Sequence, residues 1–159
     1  MARRGKVRVR KSIPDPVYKS RVLAKVINRS MRDGKKSVAQ KEVYKALEII
    51  KDKLKDDPIK VFTKSLENIK PAMEVRPRRI GGAAYQVPQP VRGTRRESLA
   101  IRWLIAAAQG RSNSEFKTYA EKLAAEIIDA NQNTGGAMKK RSDMERMAEA
   151  NRAFAHFRW

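Results

Sequence analysis

The chain changes its pattern abruptly between residues 73 and 91. On either side of this segment apolar residues recur every three or four positions, as in amphipathic helices, whereas inside it two extended stretches flank Gly81 and Gly82. A glycine pair supplies the positive φ angles that a tight hairpin turn requires. Pro77 and Pro88 cannot donate hydrogen bonds to a neighbouring strand, so both strands are expected to be edge strands. The segment therefore predicts an isolated two-stranded ribbon.

The remainder of the chain is predicted to be helical. Apolar periodicity and turn signals divide it into six helices, at about 15–33, 37–54, 57–71, 94–110, 116–131 and 136–151. The fourth has the longest apolar run and is expected to be the most buried. A length of 159 residues suits one domain. We therefore predict a mainly α, six-helix single domain over residues 15–159, with a protruding two-stranded β-hairpin at about 73–91 and a basic, extended arm over residues 1–14.

Capping signals predict where four of these helices begin. In two of them an aspartate precedes a proline that would occupy the first helical position. In the other two, a hydroxyl residue stands three positions before Glu or Gln, which is the spacing of a capping box. The four signals are Asp15-Pro16, Ser37 with Gln40, Asp57-Pro58, and Thr94 with Glu97.

The charge of the chain predicts a polyanionic partner. The formal net charge is +20, from 37 Lys and Arg against 17 Asp and Glu, which is far more than solubility requires. Residues 1–36 carry +11 and residues 70–111 carry +7, whereas residues 112–134 carry −2. In residues 70–111 eight of the nine cations are Arg, whose planar guanidinium grips phosphate and stacks on bases. The arm and the ribbon segment therefore predict a nucleic-acid interface.

The ribbon is the sharpest candidate contact surface. From Val75 to Arg96 the chain contains six arginines and no acid. Tyr85 adds an aromatic ring for base stacking or groove packing. The aromatic tail, residues 154–159, is expected either to cover an edge of the core or to dock on a neighbouring protein or RNA.

Catalytic and metal-binding functions find little support in the sequence. There is no cysteine, and His156 is the one histidine, so neither thiolate metal sites nor Ser-His-Asp chemistry is expected. No stretch approaches the roughly 18 apolar residues that span a bilayer. We expect a non-enzymatic, cytoplasmic protein with no cofactor, no metal, no small-molecule substrate and no membrane partner.

Six stretches, spread from end to end of the chain, resemble the family of bacterial small-subunit ribosomal protein seven. They are Met1-Ala-Arg-Arg-Gly, Pro14-Asp-Pro-x-Tyr18, Met31-x-Asp-Gly-Lys-Lys36, Val75-Arg-Pro-Arg-Arg-Ile-Gly-Gly82 with Tyr85-Gln-Val-Pro88, Gly135-Gly-Ala-x-Lys-Lys-Arg141, and Met147-Ala-Glu-Ala-Asn-Arg-Ala-Phe-Ala-His-Phe-Arg-Trp159.

The resemblance implies a structural constituent of the small (30S) ribosomal subunit. It implies primary binding to 16S rRNA, nucleation of the head (3′ major domain), and a position at the subunit interface near the mRNA exit path and the exit-site tRNA. Expected neighbours are small-subunit ribosomal proteins nine and eleven. The residues expected to bind rRNA are Arg3, Arg4, Lys6, Arg8, Arg10, Lys11, Lys35, Lys36, Arg76, Arg78, Arg79, Arg92, Arg95, Arg96 and Arg102. Those expected near tRNA and mRNA are Gly81, Gly82, Tyr85, Lys139, Lys140 and Arg141.

Two other classes of protein compete with this interpretation. A DNA-architectural protein also uses basic, proline-bearing β-arms, which bend duplexes through the minor groove. A catalytic RNA-processing enzyme would need a clustered acid–base constellation, and the sequence suggests none.

Overall fold

The computed structural model describes residues 12–157 as a helical body that carries one β-hairpin. The predicted mainly α fold is confirmed, whereas residues 1–11 of the arm predicted over residues 1–14 lie outside the described residues. In chain order the elements are α1 (Arg21–Ser30), α2 (Lys36–Leu54), α3 (Pro58–Ile69), β1 (Met73–Ile80), β2 (Ala83–Pro90), α4 (Gly93–Gly110), α5 (Tyr119–Asn131), α6 (Gly136–Ala150) and a C-terminal 3-10 helix (Arg152–Phe157).

The core is organised around α5, not around α4 as the sequence suggested. Seven of the 13 residues of α5 are buried, against six of the 18 residues of α4. The apolar run of α4 misleads because Ala106 and the start of the helix face solvent. Helix α5 packs against α2, α3, α4 and α6, and Leu123 and Ile127 are 1% and 2% exposed.

The predicted start of α3 is confirmed, but that of α1 is wrong. At α3 the Asp57 carboxylate accepts the N–H of Ile59 at 3.0 Å, and Pro58 is the first helical residue. At the chemically identical Asp15-Pro16, the carboxylate of Asp15 instead accepts the N–H groups of residues 17 and 18 and the hydroxyl of Tyr44. The chain makes a turn there, and α1 begins only at residue 21.

Neither predicted capping box forms. Gln40 donates to the Tyr44 hydroxyl at 2.7 Å, and Glu97 accepts from Lys25 at 2.7 Å. Helices α2 and α4 begin after Lys35 and Arg92, neither of which caps its helix with a side chain. The capping box that does form lies at the start of α5, where Thr118 and Glu121 each accept the other's backbone N–H. Hydrogen bonds from the Thr118 and Lys117 backbones hold the pKa of Glu121 below its ordinary value.

The ribbon matches the prediction closely. Strands β1 and β2 pair antiparallel from Met73↔Pro90 to Ile80↔Ala83, and they form a two-stranded sheet within residues 12–157. Gly81 and Gly82 make the turn with φ of +57° and +88°. At the other end of the ribbon Val87 is fully buried, so the base is anchored in the body while the tip projects from it.

The described helices include none that is both long and apolar enough to cross a lipid bilayer.

Candidate nucleic-acid interface

A buried carboxylate joins the ribbon to the start of α4. Glu74 of β1 is 5% exposed; its Oε1 accepts from Nε of Arg76 at 2.6 Å, and its Oε2 accepts from Nε and Nη2 of Arg95, both at 3.1 Å. The arginine side chains themselves are 49% and 47% exposed. Glu74 therefore fixes two predicted contact residues from different elements side by side, each with part of its guanidinium facing solvent. We call these three residues the Glu74 triad.

Further arginines lie along both elements. Arg79 on β1, and Arg92, Arg96 and Arg102 around the first half of α4, are exposed, and Arg78 is half-buried. Arg95 and Arg102 lie seven residues apart, or two helical turns, and hence on one side of α4. The structure thus places Arg76 and Arg95 side by side. Along β1, Arg78 lies on the same face as Arg76, whereas Arg79 lies on the opposite face.

The ribbon tip is narrow and open. A Cβ added to Gly81 or Gly82 would meet no atom within 4 Å. Both glycines have positive φ, a conformation that residues with side chains adopt only at an energetic cost. The tip can therefore approach a backbone or a base more closely than a turn with side chains could.

Tyr85 contacts the aromatic tail. Its ring centroid lies 5.2 Å from that of Phe154 and 5.5 Å from that of Phe157, which are ordinary distances for packed aromatic pairs. The tail therefore docks on the ribbon, while residues 158 and 159 lie outside the described part of the chain. The sequence signal that suggested base stacking is thus also explained by packing within the chain.

Of the three cations near the start of α6, two are exposed and the third binds other residues of the chain. Lys139 and Lys140 are exposed, as predicted for contact residues. Arg141 instead donates from Nε to Oε1 of Glu145 at 3.1 Å and from Nη1 to the backbone carbonyl of Asn68. Its guanidinium joins α6 to the end of α3, a role that the sequence did not indicate.

The comparison with known families decides among the proposed classes. The model of the family described as ribosomal protein S7p/S5e matches residues 2–152. This chain belongs to that family. Members are structural ribosomal proteins and not enzymes, which sets the RNA-processing alternative aside and favours RNA over the DNA-architectural alternative.

Relatives agree in length as well as in sequence. The chain is 57% identical to the small ribosomal subunit protein uS7 of Caldicellulosiruptor bescii and to that of Xanthobacter autotrophicus, and 56% identical to that of Thermodesulfovibrio yellowstonii. Each alignment spans 159 residues and all of both chains.

The sequence did not indicate the hydrogen bonds that hold the start of α6 against α5 in this ribosomal protein. Buried Glu126 of α5 accepts the N–H of Ala137 at 2.7 Å and that of the Arg111 Nε at 2.8 Å. Burial opposes the charge of Arg111, but its hydrogen bonds to Asp129 and Glu126 outweigh burial and raise its pKa. A Cβ at Gly135 would lie 3.0 Å from Oε1 of Glu126. This contact joins the first turn of α6, just before Lys139 and Lys140, to α5, and long-range contacts of this kind leave no periodic signal in a sequence.

Two further predicted contact residues lie near the end of α4, away from the ribbon. Lys35 and Lys36 are exposed at the start of α2. Asp33 and Gly34 precede them with φ of 52° and 74°, so the loop turns sharply just before the two lysines. The arm residues Arg3, Arg4, Lys6, Arg8, Arg10 and Lys11 lie outside the described residues.

Proposed function

We propose that this protein is a structural constituent of the small ribosomal subunit that grips folded 16S rRNA with the ribbon and the first half of α4. The observation that carries the proposal is the Glu74 triad, because it holds arginines from two elements in one arrangement before any partner arrives. The printed name of the relatives, small ribosomal subunit protein uS7, supports the same assignment.

The triad is suited to binding phosphate. Each guanidinium has five N–H donors, and Glu74 occupies one or two of them. The donors that remain can bind phosphate oxygens, and holding long side chains in place beforehand reduces the entropy lost on binding. Because the two cations share one anion, the triad keeps a positive net charge.

The family motifs support a finer placement as well. We propose that the protein is a primary 16S rRNA-binding protein that nucleates the head, and that it lies at the subunit interface. The open ribbon tip at Gly81 and Gly82, the neighbouring Tyr85, and the exposed Lys139 and Lys140 would face the exit-site tRNA and the mRNA exit path. Small-subunit ribosomal proteins nine and eleven would be neighbours.

Salt-dependent binding tests the rRNA-binding surface. We expect the Arg92→Gln/Arg96→Gln protein to bind a transcript of the 3′ major domain about tenfold or more weakly, because two phosphate contacts are lost. The slope of log affinity against log salt should fall by about one to two units, since roughly 0.7–0.9 of an ion is released per phosphate. The control is Lys60→Gln/Lys64→Gln on the exposed side of α3, which removes the same charge elsewhere. Equal affinities and slopes for the two variants would refute the assignment.

A further inference from the structure

A cavity lies at the junction of the α1–α2 loop, the start of α2, the end of α4 and the start of α5. Its volume is about 480 Å³, within the range of roughly 300–1,000 Å³ that holds a drug-sized ligand. It is separate from the ribbon surface, since none of its lining residues belongs to the ribbon or to the first half of α4. It is therefore a second candidate binding site.

The cavity gathers cations from two distant parts of the sequence. Arg32 and Lys35 come from the α1–α2 loop, whereas Lys117 and Lys122 come from residues 112–134, the segment whose net charge is negative. Both lysines of that acidic segment thus face one basic cavity. Three of its four acids have other partners: Glu121 caps α5, and Glu126 and Asp129 bind Arg111. The net charge of residues 112–134 does not indicate this site, because it sums the two lysines with acids most of which bind other partners.

Two carboxylates also line the cavity. Glu42 accepts the backbone N–H of Ala120 at 3.2 Å and so caps the start of α5. Asp33 lies in the sharp turn of the α1–α2 loop. Four cations against two anions leave the lining with a net positive charge.

Lys122 is the strongest sign of an anionic ligand. It is 8% exposed, and its Nζ donates to the Arg111 carbonyl and to Oδ1 of Asn113, both at 2.6 Å. Both acceptors are neutral, and none of the ion pairs among the described residues includes Lys122. A lysine has three donors, so one N–H is left for a ligand. A buried charge without a counter-ion is costly, and an anion in the cavity would supply that counter-ion.

The start of α2 adds a second attraction for an anion and an apolar surface. Lys35, the N-cap residue of this 19-residue helix, lines the cavity, and α2 has no side-chain cap. Uncapped N–H groups and the helix dipole favour an anion at this point. Next to it Val38, which is 55% exposed, presents an apolar side chain to the same space.

We infer that this cavity receives one unpaired nucleotide of the bound RNA, with its phosphate at Lys35, Lys117 and Lys122 and its base against Val38 and Arg32. The inference rests on the proposed function, because it assigns a second contact to the same RNA partner. A nucleotide combines an anion with a flat, largely apolar face, which is the combination that the lining offers. An RNA duplex is too wide to enter, whereas bases in loops and bulges can be splayed out into a protein.

The full-length protein, labelled with ¹⁵N and titrated with a single-stranded RNA pentamer, tests this inference. We expect amide shifts to concentrate at residues 32–42 and 109–122. Arg32→Gln/Lys117→Gln removes two exposed cations and should weaken pentamer binding about tenfold. Lys60→Gln/Lys64→Gln, with the same change in charge, should bind within twofold of the wild type.

A steric variant distinguishes an occupied cavity from a merely attractive surface. Val38→Trp adds bulk at an exposed helical position, so the fold should tolerate it, and it should block binding as strongly as the charge variant does. If Val38→Trp binds the pentamer normally, the inference is wrong. It is also wrong if a pentapeptide of Asp and Glu shifts the same amides at lower concentration than the RNA does.

The same variants separate this inference from the proposed function. If Arg92→Gln/Arg96→Gln impairs binding of the 3′ major domain while the Arg32, Lys117 and Val38 variants bind it normally, the ribbon surface stands and the cavity assignment fails. If the ribbon variant binds normally and the cavity variants do not, the ribbon assignment fails and the cavity is the main contact.

Discussion

Replacing Glu74 with Gln tests whether the triad holds its arginines ready for RNA. The carboxylate accepts from Arg76 at 2.6 Å and twice from Arg95 at 3.1 Å. Glutamine keeps the size of the side chain and one oxygen, but it turns an amide NH₂ toward one of the guanidinium groups. One arginine then faces a donor instead of an acceptor and is released.

The expected loss of stability is moderate. The Glu74 side chain is 7% exposed, whereas those of Arg76 and Arg95 are about half exposed. Hydrogen bonds to charged groups stabilise by about 1.5–3 kcal/mol, but solvent screens half-exposed partners. We therefore expect Glu74→Gln to lower the free energy of unfolding by about 1–2 kcal/mol in urea denaturation at neutral pH.

The effect on RNA binding separates pre-organisation from simple charge. Removing an anion makes the protein more positive, which by itself would tighten binding. Losing the fixed geometry instead costs about 0.5–1.5 kcal/mol for each side chain that must be ordered on binding. For the one released arginine this corresponds to about two- to tenfold weaker binding of the 3′ major domain, with a salt slope no smaller than that of the wild type.

Glu97→Gln provides the matched control. It removes the same charge and also breaks an ion pair, the one with Lys25 at 2.7 Å, but leaves the triad intact. We expect it to bind the transcript at least as tightly as the wild type. If Glu74→Gln bound RNA as tightly as Glu97→Gln, the triad would serve only to neutralise a buried acid, and the argument for pre-organisation would fail.

Three further results are expected. Phe154→Ala removes a ring 5.2 Å from Tyr85; since aromatic pairs contribute about 0.5–1.5 kcal/mol, hydrogen exchange in β2 should quicken, and unchanged protection would contradict the docked tail. Gly82→Val places a branched residue at φ +88° with open space around it. The free energy of opening the ribbon, measured by hydrogen exchange, should therefore drop by about 1–2 kcal/mol from backbone strain alone. Ala83→Val in the adjoining strand should not lower this free energy. The pKa of Glu121 is lowered in the fold. The ionised Glu121 side chain therefore stabilises the fold fully above the ordinary carboxyl pKa, and this stabilisation is lost as the pH falls through the lowered pKa. Urea titrations of wild type and Glu121→Gln should differ at neutral pH and converge in acid.

The sequence predicted elements well where the signal was local. The Gly81-Gly82 turn and the start of α3 at Asp57-Pro58 both depend on the conformational preferences of adjacent residues, and both are confirmed. Asp15-Pro16 carries the same signal as Asp57-Pro58, yet it does not start a helix. Tyr44, 29 residues away, binds the Asp15 carboxylate, and no local rule can detect that competition.

The sequence could indicate which residues are candidates for contact, but not how their side chains are arranged. Counting arginines predicted an interface on the ribbon and α4, and the structure places two of these residues, Arg76 and Arg95, side by side on Glu74. Glu74 was not predicted as part of the site because it stands just before the acid-free segment, although it binds two of the arginines. Arg141 was expected near tRNA and mRNA because of the family resemblance; its guanidinium also binds Glu145 and the Asn68 carbonyl, contacts that the sequence did not indicate.

The docking of the tail on the ribbon has a consequence for the order in which the protein matures. Phe154 is synthesised about seventy residues after Tyr85, which at roughly 5–20 residues per second takes several seconds. During that time the ribbon lacks its aromatic partner, and a two-stranded hairpin without such support is marginal in water. The ribbon therefore becomes fully ordered only after α4, α5 and α6 have been made, so the helical body is complete before the ribbon is.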